Sequence, residues 1–160
     1  SKFYGHPGVS AEMAREILRR LKFDNDTTDK VKKLVAEHDR FIKNEPNRVR
    51  RALSKITKEL FPYFLKVRRA DILAQNPAIQ EERLAELAEL TKLYEEILEK
   101  EQAVSIKELA IDGKDLLAAG VKQGKEIGDI LNNLLEMVLE EPEKNQKEIL
   151  LSCVKENYLG

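Results

Sequence analysis

An all-α fold, an array of short amphipathic helices with one long connecting helix and no sheet, is predicted by three observations. Apolar residues recur three and four positions apart through almost the whole sequence, which is the spacing of one helix face. Aromatic residues make up only 6% of the 160 residues and Trp is absent, while Leu, Glu, Lys and Ala, all good helix formers, are abundant. No stretch shows the two-residue alternation of a half-buried strand, and no internal repeat is evident.

Taken in order, Ser10 can cap a first helix whose apolar face is Met13, Ile17, Leu18 and Leu21, and Phe23-Asp24-Asn25-Asp26 turns the chain. A second helix begins near Thr27 with Val31, Leu34, Val35, His38, Phe41 and Ile42 on its inner stripe, and Asn44-Glu45-Pro46-Asn47 breaks it. Val49, Leu53 and Ile56 mark a third helix; Phe61, Phe64, Leu65, Val67 and Ile72 mark a fourth that stops before Pro77. From Ile79 to about Glu101, Leu84, Leu87, Leu90, Leu93, Tyr94, Ile97 and Leu98 describe one long helix with an acidic outer face. Ser105 and Glu108 have the spacing of a capping box opening a short helix that ends at Asp112-Gly113. Another short helix runs from Lys114 to Ala119 and is closed by Gly120, whose freedom at positive φ suits a helix C-terminus. A helix from Gly124 to Glu141 stops at Pro142, and Asn145 with Glu148 is expected to cap the last one, through Leu150, Leu151, Val154 and Tyr158.

The formal net charge of −1 conceals a polar distribution. Residues 1–75 hold 18 Lys and Arg against 10 Asp and Glu, whereas residues 76–160 hold 10 against 19. A basic half is the footprint of a surface that neutralises phosphates, although solvated helix faces fit the same charges. One cysteine, Cys153, excludes an intramolecular disulfide framework and fits a reducing, cytoplasmic setting. No apolar run approaches the roughly 18 residues of a bilayer span, so no membrane partner is expected. Ser1 opens the sequence without an initiator methionine and leads at once into Phe3-Tyr4-Gly5-His6, so a longer parent chain is expected.

Three polar positions in the basic half are candidates for chemistry: His6, the pair His38-Asp39, and Asp71. His38 follows Val31 and Leu34 by seven and four residues, and Asp71 follows Phe64 and Val67 by the same intervals, so both project from apolar faces. Burial without a partner would cost several kcal/mol on transfer scales. A divalent metal would supply the partner through imidazole nitrogen and carboxylate oxygen, and inter-helix hydrogen bonds would serve equally well.

The stretch 111–131, Ile-Asp-Gly-Lys-Asp-Leu-Leu-Ala-Ala-Gly-Val-Lys-Gln-Gly-Lys-Glu-Ile-Gly-Asp-Ile-Leu, resembles the C-terminal region of bacterial CCA-adding tRNA nucleotidyltransferases of the poly(A) polymerase family. The run Phe3-Tyr4-Gly5-His6 with 11–23 is similar to the middle of an HD-type metal phosphohydrolase fold inserted in many of those enzymes, and Val35-Ala36-Glu37-His38 and Arg68-Arg69-Ala70-Asp71-Ile72 resemble its later motifs. The resemblance implies a partial HD-like region over 1–77, a connecting helix over 78–103 and a helical tail over 104–160. It matches His6, His38 and Asp71 to ligand positions of an incomplete set. The doublet that names the HD fold, with the helix carrying it and the first histidine, has no counterpart.

A catalytic head in this family carries a Gly-Ser or Gly-Gly motif and an Asp-x-Asp pair on a sheet, whose carboxylates hold two metal ions for phosphoryl transfer. That arrangement has no counterpart either, so no catalytic residue is nominated and no transferase activity is expected of these residues alone. The resemblance implies a parent that uses Mg with CTP or ATP and a chain that grips tRNA. A self-sufficient phosphohydrolase and a helical scaffold binding protein partners, a second copy included, are the competing expectations. The contacts expected with RNA are Arg48, Arg50 and Arg51 in the basic half and Lys114, Lys122 and Lys125 around the glycines. Near those lysines, helix starts at Lys114 and Gly124 would present backbone N–H groups to a phosphate.

Overall fold

The computed structural model describes residues 42–159 together with positions 19, 26 and 29. The two helices expected before residue 42 are described only at positions 19, 26 and 29, all helical, Asp26 included where the sequence predicts a turn; the rest of them lies outside the described residues. The described part has six α-helices and no strand, as the sequence predicts: α1 (Pro46–Ile56), α2 (Phe61–Leu73), α3 (Pro77–Glu99), α4 (Gly113–Ala119), α5 (Lys125–Glu140) and α6 (Lys147–Val154). Three short turns complete it, 3-10 at Ile106–Glu108 and Pro142–Lys144 and a single π turn at Lys155–Leu159. No described helix is long and apolar enough to cross a membrane. Contacts divide the chain into two compact units, Ser1–Ile97 and Leu98–Gly160.

Prolines set where the helices of the first unit begin. Pro46 and Pro62 lie in the first turns of α1 and α2, where a missing N–H costs nothing because no carbonyl awaits it. Pro77 opens α3 in the same way, and Asn76 Oδ1 accepts from the Ala78 N–H at 3.0 Å. The long helix thus starts two residues before Ile79. Val49, Leu53 and Ile56 of α1, Phe61, Phe64, Val67 and Ile72 of α2, and Leu87, Leu90 and Ile97 of α3 are buried. Within that core the Phe61 ring lies 5.4 Å from Phe64 and 4.8 Å from Tyr94 of α3, both tilted, within the favourable range for aromatic pairs. Burial raises the Tyr94 hydroxyl above its ordinary pKa, and Glu95 adds to the effect.

Two non-glycine residues take positive φ, Thr57 (90°) after α1 and Glu101 (51°) after α3. Thr57 ends α1 by donating its N–H to the Leu53 carbonyl at 2.8 Å, and its Oγ1 accepts from the Leu60 N–H at 3.3 Å. These bonds hold a β-branched residue in a region it otherwise avoids.

In the second unit, Ala103, Leu109, Ile111, Leu116 and Val121 pack with Ile130, Leu131, Leu134 and Val138 of α5 and Leu150 and Val154 of α6. The Ser105–Glu108 element is one 3-10 turn, not a longer helix: Glu108 Oε1 accepts from the Ser105 hydroxyl and from the Val104 N–H, both at 3.1 Å. Asp112 does not end that turn but starts α4. Its carboxylate accepts from the Asp115 N–H at 3.0 Å while Asp115 accepts from the Asp112 N–H at 2.9 Å, a reciprocal capping box. Gly120 closes α4 at φ 112°, as its position predicts. Asn145 caps nothing. Its Oδ1 accepts from the Ala110 N–H at 2.8 Å and its Nδ2 donates to the Glu108 carbonyl at 3.0 Å, which pins the loop before α4, and Gln146 takes the N-cap position of α6 with no side-chain bond.

Candidate nucleic-acid interface

The apolar stripe of α1 is Val49, Ala52, Leu53 and Ile56, so the opposite side carries Arg48, Arg51 and Lys55 at intervals of three and four residues. Arg48 and Lys55 are exposed and Arg51 is half-buried. Arg50 departs from the expected surface set. It is only 5% exposed, because it flanks the apolar stripe one residue after Val49, and its side chain is enclosed within the first unit. Over 46–75 there are eight Lys and Arg against two carboxylates, Glu59 and Asp71, and Asp71 is buried. Glu59 is therefore the one exposed carboxylate of that stretch.

Lys114, Lys122 and Lys125 are all exposed. The two helix starts beside them differ. At α4 two backbone N–H groups are already taken by the Asp112 and Asp115 carboxylates, so this end presents negative charge. The Asp112 backbone N–H, and next the Lys147 ammonium 3.6 Å away, hold the Asp115 carboxyl below its ordinary pKa. The start of α5 has no side-chain cap. Gly124 sits there at φ 134°, a conformation that only glycine adopts without strain, with Lys122, Gln123 and Lys125 exposed around it. Gly113 has another reason to be glycine, since a Cβ would meet Ile127 Cγ2 at 3.4 Å, tighter than most such contacts.

Of the three matched metal-ligand positions, His6 and His38 lie outside the described residues. Asp71 is 4% exposed near the end of α2, and Gln75, four residues on, is 8% exposed. Gln75 Nε2 donates to Asp71 Oδ2 at a long 3.4 Å, while Asp71 Oδ1 and Gln75 Oε1 have no hydrogen-bond partner. Two buried oxygens suit a hard cation, yet among the described residues no three His, Cys, Asp or Glu side chains converge as a metal site. The described donors alone do not complete a coordination shell. Gln75 is a residue that sequence reasoning misses; its one signal is the four-residue interval from Asp71.

Between the chain leading into α1 and the helices α2 and α3 lies an open cleft of about 300 Å³, lined by Ile42, Lys43, Asn44, Arg68, Glu86, Leu87 and Leu90. Asn44 Nδ2 closes one side by donating to the Glu86 carbonyl at 3.1 Å.

Residues 2–154 match a family model described as tRNA nucleotidyltransferase domain 2, putative. The chain is also 31% identical over 136 residues to a CC-adding tRNA nucleotidyltransferase of Thermus thermophilus, covering 84% of this chain and 29% of that protein. It thus spans under a third of that relative's length. No solved structure matches.

Proposed function

This chain belongs to the CCA-adding tRNA nucleotidyltransferase family, and from that premise we propose that it is the part of such an enzyme that binds and positions tRNA, not the part that adds nucleotides. Support comes from the match over residues 2–154 to a model described as domain 2 of a tRNA nucleotidyltransferase, and from the 29% of the Thermus thermophilus relative that the chain spans. The observation that carries the reading is the charge distribution. Phosphate contacts position a nucleic acid, and over 46–75 four exposed cations, Arg48, Lys55, Lys66 and Arg69, stand against a single exposed carboxylate, Glu59.

In this reading Arg48 and Arg51 of α1 supply neutralisation, and Lys122 and Lys125 flank the uncapped start of α5 as a secondary contact. Arg50 is left out because it is enclosed, and Lys114 is weakened by the two carboxylates beside it. Nucleotide addition, with Mg and CTP or ATP, is assigned to another part of the parent enzyme. Titrating tRNA against the chain at two ionic strengths tests the proposal. We expect binding whose logarithm falls steeply with the logarithm of salt, by about 0.7 to 0.9 per phosphate contact. No binding at the lower salt would remove it.

A further inference from the structure

The outward face of α2 is a second basic stripe, counted in the charge above but given no contact of its own. The buried residues Phe61, Phe64, Val67, Asp71 and Ile72 define the inward side of the helix. The remaining positions, Pro62, Lys66, Arg69 and Leu73, follow one another at intervals of three and four residues and so share the opposite side, with Tyr63 on its flank. Lys66, Arg69 and Leu73 are exposed, Leu73 at 47%. The Lys66 ammonium lies 5.6 Å from the centre of the Tyr63 ring, a cation–π distance that restrains a side chain otherwise free to rotate. No carboxylate occurs on this face, since the one acidic residue of α2, Asp71, points inward.

Solvated helices commonly carry Glu or Asp three or four residues from their cations, as the sequence of α3 does around Arg83 and Lys92 among seven glutamates. On α2 neither Lys66 nor Arg69 has an acidic residue three or four positions away, and the two sit about 4.5 Å apart along the axis. A surface of this kind is complementary to a string of closely spaced negative charges, and an aromatic ring beside the cation adds a face on which a base or ribose can rest.

We propose that the Tyr63–Lys66–Arg69 face of α2 is a contact surface for the phosphodiester backbone of RNA. The proposal rests on the tRNA-binding reading and names a place for it. Lys66 and Arg69 each neutralise a backbone phosphate, and Tyr63 holds Lys66 in position.

The test uses the whole chain, tRNA and a series of salt concentrations, with helix content checked by circular dichroism. In the double variant Lys66→Gln, Arg69→Gln we expect the slope of log affinity against log salt to lose about 1.5, two contacts at 0.7 to 0.9 each. The pair Lys66→Arg, Arg69→Lys, which keeps both charges, should retain the slope. Lys92→Gln with Lys100→Gln removes the same charge from exposed positions elsewhere and should leave the slope unchanged. Tight binding by the parent chain with an unchanged slope in the α2 Gln variant overturns the inference and spares the functional reading. An equal loss in the Lys92, Lys100 control also overturns it, since overall charge would then be the cause. Absence of tRNA binding by the parent chain removes both.

Discussion

Asp71→Asn is predicted to stabilise the protein. The carboxylate is 4% exposed, its Oδ1 has no hydrogen-bond partner, and the one hydrogen bond it makes among the described residues, from Gln75 Nε2 to Oδ2, is stretched to 3.4 Å. A buried polar atom left unsatisfied costs about 1–3 kcal/mol, and a charged one costs more. Asparagine has the same shape, keeps an oxygen for Gln75 Nε2, and replaces the unpaired anionic oxygen by a neutral amide nitrogen that can donate. The gain expected is about 1 kcal/mol or somewhat more, set by the difference between orphaning a charged and a neutral group. Urea unfolding followed by circular dichroism, in buffer containing EDTA, measures it as a rise in midpoint at unchanged slope. Destabilisation by more than about 1 kcal/mol would refute the reasoning, because a charged partner would then be holding the carboxylate.

A second arm of the same experiment adds Mn²⁺ in place of EDTA. If the Asp71 and Gln75 oxygens are ligands, as the HD-type resemblance implies for Asp71, the metal raises the midpoint of the parent chain and leaves Asp71→Asn where it was. A binding site kept empty is expected to be destabilising, and the stability gained by the variant in EDTA then measures that cost.

Four further predictions rest on local geometry. Glu101→Gly should raise stability by about 1 kcal/mol, because φ 51° is the left-handed region where glycine loses the Cβ clash; the thermal midpoint reads it. Asn145→Ala should cost about 1–2 kcal/mol by cutting the bonds to Ala110 N–H and the Glu108 carbonyl, and amide exchange at Ala110 should quicken. The Asp115 pKa is depressed on folding, so its contribution is present above the ordinary value of 3.8 and disappears as pH falls through the folded value. Asp115→Asn should accordingly show a flatter decline of thermal midpoint below pH 4 than the parent, and an identical decline would remove the cap from the account. Gly128→Ala should stabilise α5 by about 0.5–1 kcal/mol, since a Cβ there meets nothing within 4 Å. A tRNA affinity that falls despite that gain would show the space is used by the ligand.

Where residue type and spacing decide an element, the sequence is legible. Pro46 and Pro77 mark helix boundaries, Gly120 stops a helix, and the intervals among Val49, Leu53 and Ile56 locate an inward face. What fails is the choice between two uses of the same polar residue. Asp112 beside Gly113 has the look of a helix end, yet its carboxylate finds the Asp115 N–H three residues on and starts a helix instead. Asn145 stands where a cap belongs, but its partners Glu108 and Ala110 are more than thirty residues away in sequence, and no local pattern announces them. Arg50 flanks the apolar stripe of α1 and Gln75 follows Asp71 by four residues, but neither interval by itself marks the side chain as enclosed. Charge, by contrast, is fully visible beforehand, although its sorting into exposed Lys66 and Arg69 and enclosed Arg50 is not.

The same sorting bears on the glycine-rich stretch that carries the family resemblance. Gly113 is explained by the approach of Ile127, Gly120 by a left-handed helix end and Gly124 by its φ of 134°, so three of the four glycines there are accounted for by the fold of the second unit itself. Two carboxylates occupy the start of α4, and residues 98–160 carry 13 Asp and Glu against 8 Lys and Arg. A polyanion approaching this unit meets net repulsion except near Lys122 and Lys125, within a screening length of about 8–10 Å at physiological salt. The motif is thus a better marker of descent than of the principal RNA surface. In the tRNA-binding reading proposed above, long-range attraction comes from the helices before residue 75, where Arg48, Lys55, Lys66 and Arg69 are exposed and Glu59 is the one exposed carboxylate of 46–75. Neutralising those four cations should therefore slow tRNA association more than neutralising Lys114, Lys122 and Lys125, and the difference should shrink as salt is raised.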